Sequence, residues 1–147
     1  MATLFTRIID GEIPGRFVWS DPVAVAFATI APITPGHVLV VPRAEVASFT
    51  QADDGLLAHL SRVAAAIGRA QEVAFEAPRA ALLVAGFEVP HLHLHVLPAW
   101  GESELSFAHA RSDVPADELD DAMERVRAAL RAGGEGAHVP PTLGAPD

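Results

Sequence analysis

Three histidines at alternate positions constrain the fold of this chain more than any other feature of its sequence. Residues 89–98 read Val-Pro-His-Leu-His-Leu-His-Val-Leu-Pro. In an extended strand, side chains two positions apart share a face and stand roughly 6.6–6.8 Å apart. One face would carry the imidazoles of His91, His93 and His95. The other face would carry Leu92, Leu94 and Val96, and it has to be buried for the strand to be stable. A helix would scatter the imidazoles and leave no apolar stripe, so the pattern predicts a strand.

A row of imidazoles with this spacing favours mixed protonation near neutral pH. Two unit charges about 7 Å apart repel by roughly 2 kcal/mol at an effective dielectric near 20, and an unperturbed imidazole has a pKa near 6.5. Some rings would be neutral and nucleophilic, while others would be cationic proton donors. This combination suits attack on an anionic phosphorus with protonation of the leaving group. His93, with an imidazole on each side, is the best placed nucleophile.

Two other interpretations of the histidines stay open at this point. They could be surface side chains of an exposed strand, although clustered ionisable groups are more often functional. They could also ligate a metal, since zinc sites with three histidine ligands exist. Alternate positions on one strand point nearly parallel, however, whereas zinc requires convergent ligands and usually one from another element.

Composition and charge exclude several classes of protein. The chain has 147 residues, half of them apolar, which suits one domain with a real core. There is no cysteine, hence no disulfide framework and no thiolate metal site. The net charge is −9 and all ten basic residues are arginine, which argues against a surface that binds a nucleic acid polymer. A small phosphorylated ligand could still be held by imidazolium, backbone N–H groups and one arginine.

The chain carries no apparent targeting or membrane segment. Its first residues lack an apolar core of signal-peptide length. The longest largely apolar run, residues 23–33, is far too short to cross a bilayer. We therefore expect a cytoplasmic protein without a membrane partner.

The remaining pattern predicts an α+β fold with an antiparallel sheet. Strands are predicted at residues 16–20, 23–30, 37–41 and 80–85, with the histidine segment as the fifth. A long helix should run from a cap at Asp53 or Asp54 to about Ala74, and a second should begin with Pro115 in its first turn. Residues 3–10 read as a short helix or turn. Short hairpin-like connections favour antiparallel pairing.

We expect one domain over residues 3–131. Residues 132–147 are rich in Gly and Pro and lack periodicity. This C-terminal tail should be mobile, or ordered only by a neighbour.

Three motifs, in the correct order and spacing, resemble the histidine triad (HIT) family, in particular its small nucleoside phosphoramidate and dinucleoside polyphosphate hydrolases. Residues 91–97 fit the family pattern His-φ-His-φ-His-φ-φ, in which φ is apolar. Residues 5–14 resemble the family's opening segment, and residues 35–42 resemble its second signature. The resemblance covers residues 3–98.

The resemblance implies a HIT-like fold, a five-stranded antiparallel sheet with two main helices, usually assembled as a homodimer. It also implies hydrolysis or transfer at the α-phosphorus of a small nucleotide substrate through a covalent nucleotidyl-histidine intermediate, with no metal or cofactor. By position in the motif, His93 would be the nucleophile, His91 would orient it, and His95 would contact the scissile phosphate or leaving group. His37 matches an outlying fourth histidine near the site, and the backbone N–H of Val89 falls where the family contacts the phosphate.

The chain departs from the family pattern at positions that bind substrate. Thr29 stands where the family commonly has an aspartate for the ribose hydroxyls, and a threonine cannot accept two hydrogen bonds as a carboxylate does. Glu88 stands where a serine or threonine is usual, and its carboxylate would repel a phosphate unless it turns away or is protonated. An Asn-rich loop before the triad is absent. These departures motivate a second interpretation, a non-catalytic nucleotide-binding or sensor module with the same fold.

Overall fold

The protein is built on a five-stranded antiparallel sheet with both main helices packed on one face. The computed structural model describes residues 1–147. Its helices and strands are, in chain order, α1 (Leu4–Ile9), β1 (Phe17–Ser20), β2 (Ala24–Ala28), β3 (Val38–Pro42), α2 (Asp54–Ala74), β4 (Arg79–Leu83), β5 (Leu94–Ala99) and α3 (Ala116–Leu130). Short 3-10 turns lie at Phe49–Gln51, Glu102–Glu104, Phe107–His109 and Gly136–His138, with a π turn at Arg131–Glu135. The strand order is β1-β2-β3-β5-β4, and every neighbouring pair is antiparallel. The predicted α+β fold is therefore confirmed.

Alternation along the strands divides the core between the two faces of the sheet. On the helix side, the buried side chains of β2 and β3 pack with those of α2 and α3, and the same cluster contains Leu92, Leu94 and Val96. On the opposite face, a smaller buried cluster joins α1 to the sheet through Phe5, Phe17, Val25, Phe27, Leu39 and Val41. Burial of the apolar residues beside the histidines is thus confirmed, and each such side chain contributes about 1.5–3 kcal/mol.

Both main helices begin within one residue of where the sequence predicts. The Asp53 carboxylate caps α2 by accepting a hydrogen bond from the N–H of Leu56, and the helix ends at Ala74. Pro115 is the residue immediately before α3. None of the helices is both long enough and apolar enough to span a bilayer.

The histidine segment is where the structure differs most from the sequence prediction. Strand β5 covers only Leu94–Ala99, so the prediction of one strand across residues 89–98 is wrong for its first part. The N–H of His91 donates to the carbonyl of Val89 at 2.8 Å, and the N–H of Leu92 donates to Val46 at 2.7 Å. Because these two N–H groups bond outside the sheet, the ladder begins after them.

The residues that follow α3 pack against the domain. The N–H of Phe17 in β1 donates to the carbonyl of Leu143 at 2.7 Å. The buried guanidinium of Arg127 in α3 donates to the carbonyl of Pro140 at 2.9 Å. The C-terminal tail was expected to be mobile or ordered only by a neighbour. These hydrogen bonds show that β1 and α3 of the same chain contact it.

Candidate active site

Three histidine rings meet on the sheet face opposite the main helices, where β3 and β5 run side by side. His37 immediately precedes β3, His95 lies in β5 opposite Leu39, and His93 immediately precedes β5. The ring centroids of His93 and His95 are 5.0 Å apart, and those of His37 and His95 are 5.1 Å apart. His95 is therefore the centre of the cluster.

His91 differs from the other two triad histidines in its surroundings. Its side chain is fully buried, with Nε2 2.7 Å from the carbonyl oxygen of Pro42 and Nδ1 2.6 Å from Oγ1 of Thr3. A carbonyl only accepts, so Nε2 carries a proton, and in the neutral ring Nδ1 accepts from the threonine hydroxyl. With both nitrogens bonded, His91 is fixed in place and offers none to a ligand. The prediction that all three imidazoles lie within reach of one small ligand is therefore wrong for His91, because both of its nitrogens are bonded within the chain.

His93 presents an unprotonated nitrogen. Its Nδ1 lies 2.7 Å from the backbone carbonyl of His91, which can only accept, so Nδ1 is the donor and the neutral ring keeps its lone pair on Nε2. The Phe5 ring packs edge-on against His93 at 4.9 Å. Burial lowers the pKa of His93 below its ordinary value, although the hydrogen bond to His91 and the charge of Glu88 act in the opposite direction. A neutral ring with a bare Nε2 is therefore the resting state.

His95 presents the opposite arrangement, a protonated Nε2. The N–H of Ile33 donates to Nδ1 of His37 at 3.0 Å, which leaves the proton of neutral His37 on Nε2. That Nε2 lies 2.9 Å from Nδ1 of His95 and donates to it, so neutral His95 carries its proton on Nε2.

Burial keeps both rings of this pair neutral. It lowers the pKa of His37 to about 3 and that of His95 to about 4, and charge repulsion from a neighbouring histidine adds to each shift. The expectation of a cationic ring is therefore wrong for His95 in the free protein, because burial outweighs the preference of imidazole for a proton near pH 6.

The other predicted site residues occupy different surroundings. Glu88 is exposed and forms no ion pair, although its charge reaches His93. The N–H of Val89 makes no hydrogen bond within the chain. Thr29 is half-buried, and its hydroxyl accepts a hydrogen bond from the N–H of Ala31 at 3.2 Å. A cavity of about 640 Å³ between the β2–β3 connection and α3 is lined in part by Thr29 and His37 but by none of the triad histidines.

Three residues at the site were missed by sequence reasoning. Thr3 is 88 positions from its partner His91, and its position before α1 indicates only a helix cap. Phe5 lies in that short helix and packs against two triad rings. Phe107, half-exposed in a 3-10 turn, packs edge-on against His95 with ring centroids 4.9 Å apart. No local pattern in the sequence links these residues to the histidines.

The geometry gives no support to the metal interpretation. No group of three or more His, Asp or Glu side chains converges as metal ligands do. His91 has both nitrogens engaged, and Nδ1 of His95 faces a donor on His37 rather than an open position.

Comparison with known proteins gives consistent results along most of the chain. The protein-family model for the HIT domain matches residues 10–101. An uncharacterized HIT-like protein of Saccharolobus solfataricus is 34% identical over 104 residues, which are 67% of this chain and 75% of that protein.

Solved structures share the fold. A zinc-bound histidine triad family protein from Mycobacterium smegmatis superposes with a TM-score of 0.79 at 25% identity, covering 92% of this chain and 98% of that one. A hypothetical histidine triad nucleotide-binding protein from Sulfolobus tokodaii gives a TM-score of 0.77 at 27% identity, covering 87% of this chain and 91% of that one.

Proposed function

Because this chain belongs to the histidine triad (HIT) family, we propose that it is a hydrolase or nucleotidyl transferase acting at the α-phosphorus of a nucleotide. The observation that carries the proposal is the pairing of His93 and His95. Their ring centroids are 5.0 Å apart, with a lone pair on Nε2 of the first and a proton on Nε2 of the second. A nucleophile beside a hydrogen-bond donor is what displacement at an anionic phosphorus needs.

In the first step, Nε2 of His93 attacks the α-phosphorus. The phosphorus–Nε2 bond forms from the ring's lone pair, and the bond to the leaving group breaks with its electron pair on the leaving atom. His93 becomes an imidazolium that carries the nucleotidyl group. Its Nδ1–H still donates to the carbonyl of His91, which stabilises the new positive charge.

His95 acts as a hydrogen-bond donor toward the charge that develops on the phosphoryl oxygen or the leaving atom. Its Nε2–H is held in place because His37 occupies Nδ1. The unbonded N–H of Val89 is a second donor for the phosphate. Donors fixed before the reaction need no reorganisation in the transition state.

In the second step, an acceptor attacks the phosphorus and the electron pair of the phosphorus–nitrogen bond returns to His93. With water as acceptor the products are a nucleoside monophosphate and a proton released to solvent or to the departed group. With another nucleophile the same step is a nucleotidyl transfer. Dividing one displacement in two gives each step an accessible barrier.

We also propose that the protein works as a homodimer, as is usual in the family. Strand β4 lies at the edge of the sheet, and it exposes the apolar side chain of Leu82, with that of Val84 just beyond its end. An exposed strand edge is a site for pairing with another chain. Light scattering at several protein concentrations tests the dimer.

The covalent intermediate is tested by trapping. Purified protein is mixed with nucleoside phosphoramidates, dinucleoside polyphosphates and nucleotide sugars, quenched with base, and examined by intact mass and peptide mapping. We expect a nucleotidyl adduct on His93 in the wild type and in His109→Ala, and none in a folded His93→Ala. An adduct that persists in His93→Ala contradicts the assignment. Tight binding of a nucleoside monophosphate with no adduct and no turnover would instead identify a nucleotide-binding sensor.

A further inference from the structure

Gln71 is a fully buried amide side chain on the face of α2 that packs against the sheet. Its Nε2 donates to the carbonyl of Gly36 at 2.8 Å and to the carbonyl of Val96, also at 2.8 Å. Both partners can only accept, so the NH₂ end of the amide has to face them and its orientation is fixed. One side chain of α2 thus joins the backbone just before β3 to the backbone of β5.

The two carbonyls that Gln71 binds lie next to the paired histidines. The carbonyl carbon of Gly36 is bonded to the nitrogen of His37, and Val96 follows His95 in β5. The backbone N–H and carbonyl of His37 itself make long hydrogen bonds of 3.3 and 3.4 Å, whereas such bonds are usually near 2.9–3.0 Å. The shorter bonds from Gln71 therefore hold the backbone on both sides of the contact between the two rings.

The end of α2 also fits closely against Gly36. Gly36 has a φ of +91°, which favours glycine, and a Cβ at this position would collide with the ring of Phe75, the residue that ends α2. With no side chain between the loop and the helix, the Gln71 amide reaches the carbonyl directly. The position of His37 therefore depends on α2 as well as on β3.

What the Gln71 contacts specify is the separation of two strands. Two carbonyls from different strands have to converge on one nitrogen, which fixes how far apart they lie at this point. The other end of the amide, Oε1, is buried without a hydrogen-bond partner within the chain, and such an unpaired acceptor costs stability. A buried polar group of this kind orders the structure around it more than it stabilises the fold.

We propose that Gln71 is a positioning residue that sets the separation of His37 and His95 from the opposite face of the sheet, and so keeps the proton of His95 on Nε2. It acts on the two rings through the backbone and not by contact with substrate. This inference rests on the proposed function, in which the Nε2–H of His95 is the donor. The position of that proton can nevertheless be measured in the free protein, without any substrate.

The test combines NMR with kinetics. Long-range ¹H–¹⁵N spectra of the free protein at about pH 7.5 show which ring nitrogen carries the proton, and in the wild type this should be Nε2 of both His37 and His95. Gln71→Met keeps the length of the side chain but loses both donors. In this variant His95 should become a mixture of tautomers, and kcat should fall about tenfold while KM changes less than about twofold.

A second variant covers the case in which Gln71→Met does not fold. Gln71→Asn keeps an amide in the core, but it is shorter by one carbon–carbon bond of about 1.5 Å and cannot bind both carbonyls. It should show the same change of tautomer and the same direction of change in kcat.

Val63→Ala is the matched control, since Val63 is buried in the same helix and the same core cluster but bonds to neither strand. It should lower the free energy of unfolding and leave the tautomer and kcat unchanged. An unaltered His95 tautomer in the folded Gln71 variants would overturn the inference, as would the same mixture of tautomers in Val63→Ala. A changed tautomer with an unchanged kcat would also overturn it. If the wild type turns over no nucleotide substrate, the proposed function fails, and the tautomers alone then decide whether Gln71 positions the two rings.

Discussion

Nε2 of His37 lies 2.9 Å from Nδ1 of His95, and this contact determines which nitrogen of His95 carries the proton. The N–H of Ile33 already donates to the other nitrogen of His37, so only one arrangement satisfies every donor and acceptor. In the proposed mechanism His37 is therefore a positioning residue, because it keeps a donor on His95 without touching the substrate.

Replacing His37 should lower activity most when the new side chain cannot donate a hydrogen bond to Nδ1 of His95. His37→Leu removes the donor, frees the tautomer of His95, and should reduce kcat by about 10²-fold, as loss of one fixed donor does elsewhere. His37→Gln retains an N–H and should lose much less. Steady-state kinetics with thermal unfolding as a control for folding measures both. Equal activity of the two variants would show that the tautomer does not matter.

The stability of the fold should decline as the pH falls below about 6.5. Unfolded imidazoles gain a proton near pH 6.5, whereas in the fold His37 and His95 stay neutral down to pKa values of about 3 and about 4. Between these values the unfolded chain binds more protons, so the free energy of unfolding falls as pH falls, with a limit of about 1.4 kcal/mol per pH unit for each buried group. Asp21, with its lowered pKa, adds a further loss only near and below its ordinary value.

Urea denaturation at pH 7.5, 6 and 5 measures this dependence. His37→Gln removes one of the histidines whose pKa is lowered in the fold, so the free energy of unfolding of the variant should change less over the same interval. A wild-type protein that is equally stable at all three values would contradict the burial of neutral histidines.

Sequence reasoning correctly predicted the elements whose pattern is local. The alternation of histidine and apolar residues indicates which face is buried, because side chains two apart on an extended segment share a face. The Asp53 cap and the apolar residues repeated every three or four positions indicate α2. Both signals involve only residues that are close together along one helix. Such patterns require no knowledge of what the segment packs against.

The features that the sequence did not predict depend on partners far away in the chain. Strand β5 starts at Leu94 because the N–H of Leu92 bonds to Val46, and no periodicity encodes that choice. The protonation of His95 follows from His37, 58 positions earlier, and from burial that only the assembled site creates. The motif therefore indicates which groups we propose to react, while their charge states required the structure.

Thr3 should couple the N-terminal helix to the site. Its Oγ1 caps α1 by accepting from the N–H of Thr6 and lies 2.6 Å from Nδ1 of His91. Thr3→Val keeps the shape but removes the hydroxyl, which leaves a buried nitrogen unpaired and should cost about 2 kcal/mol of unfolding free energy. It should also lower kcat, because the backbone of His91 holds His93 in place.

Thr3→Ser retains the hydroxyl and should recover most of both losses. Thr50→Val serves as a second control, since the exposed Thr50 hydroxyl bonds to the Ser48 hydroxyl at 3.0 Å rather than to the site. If Thr3→Val lowered stability without changing kcat, His91 would not transmit its position to the nucleophile.

Glu88 should weaken the binding of anionic substrates through its charge. The carboxylate is exposed and unpaired, and its charge reaches His93. In water, two charges about 4 Å apart interact by about 1 kcal/mol, so Glu88→Gln should tighten the binding of a nucleoside monophosphate by at most about fivefold. Isothermal titration calorimetry at two salt concentrations measures the change, and the gain should shrink as ionic strength rises.

The matched control for Glu88 is Asp54→Asn, which removes the same unit of negative charge from the exposed first turn of α2. A local effect requires that only Glu88→Gln changes the affinity. If both variants tightened binding by the same factor, the cause would be the overall net charge of −9 rather than the position of Glu88.

The same pair of variants also separates a local effect of Glu88 from an effect of net charge in the pH dependence of kcat/KM. Because Glu88 raises the pKa of His93, its removal should move the acid limb of the pH profile of kcat/KM to lower pH, whereas Asp54→Asn should leave that limb where it is.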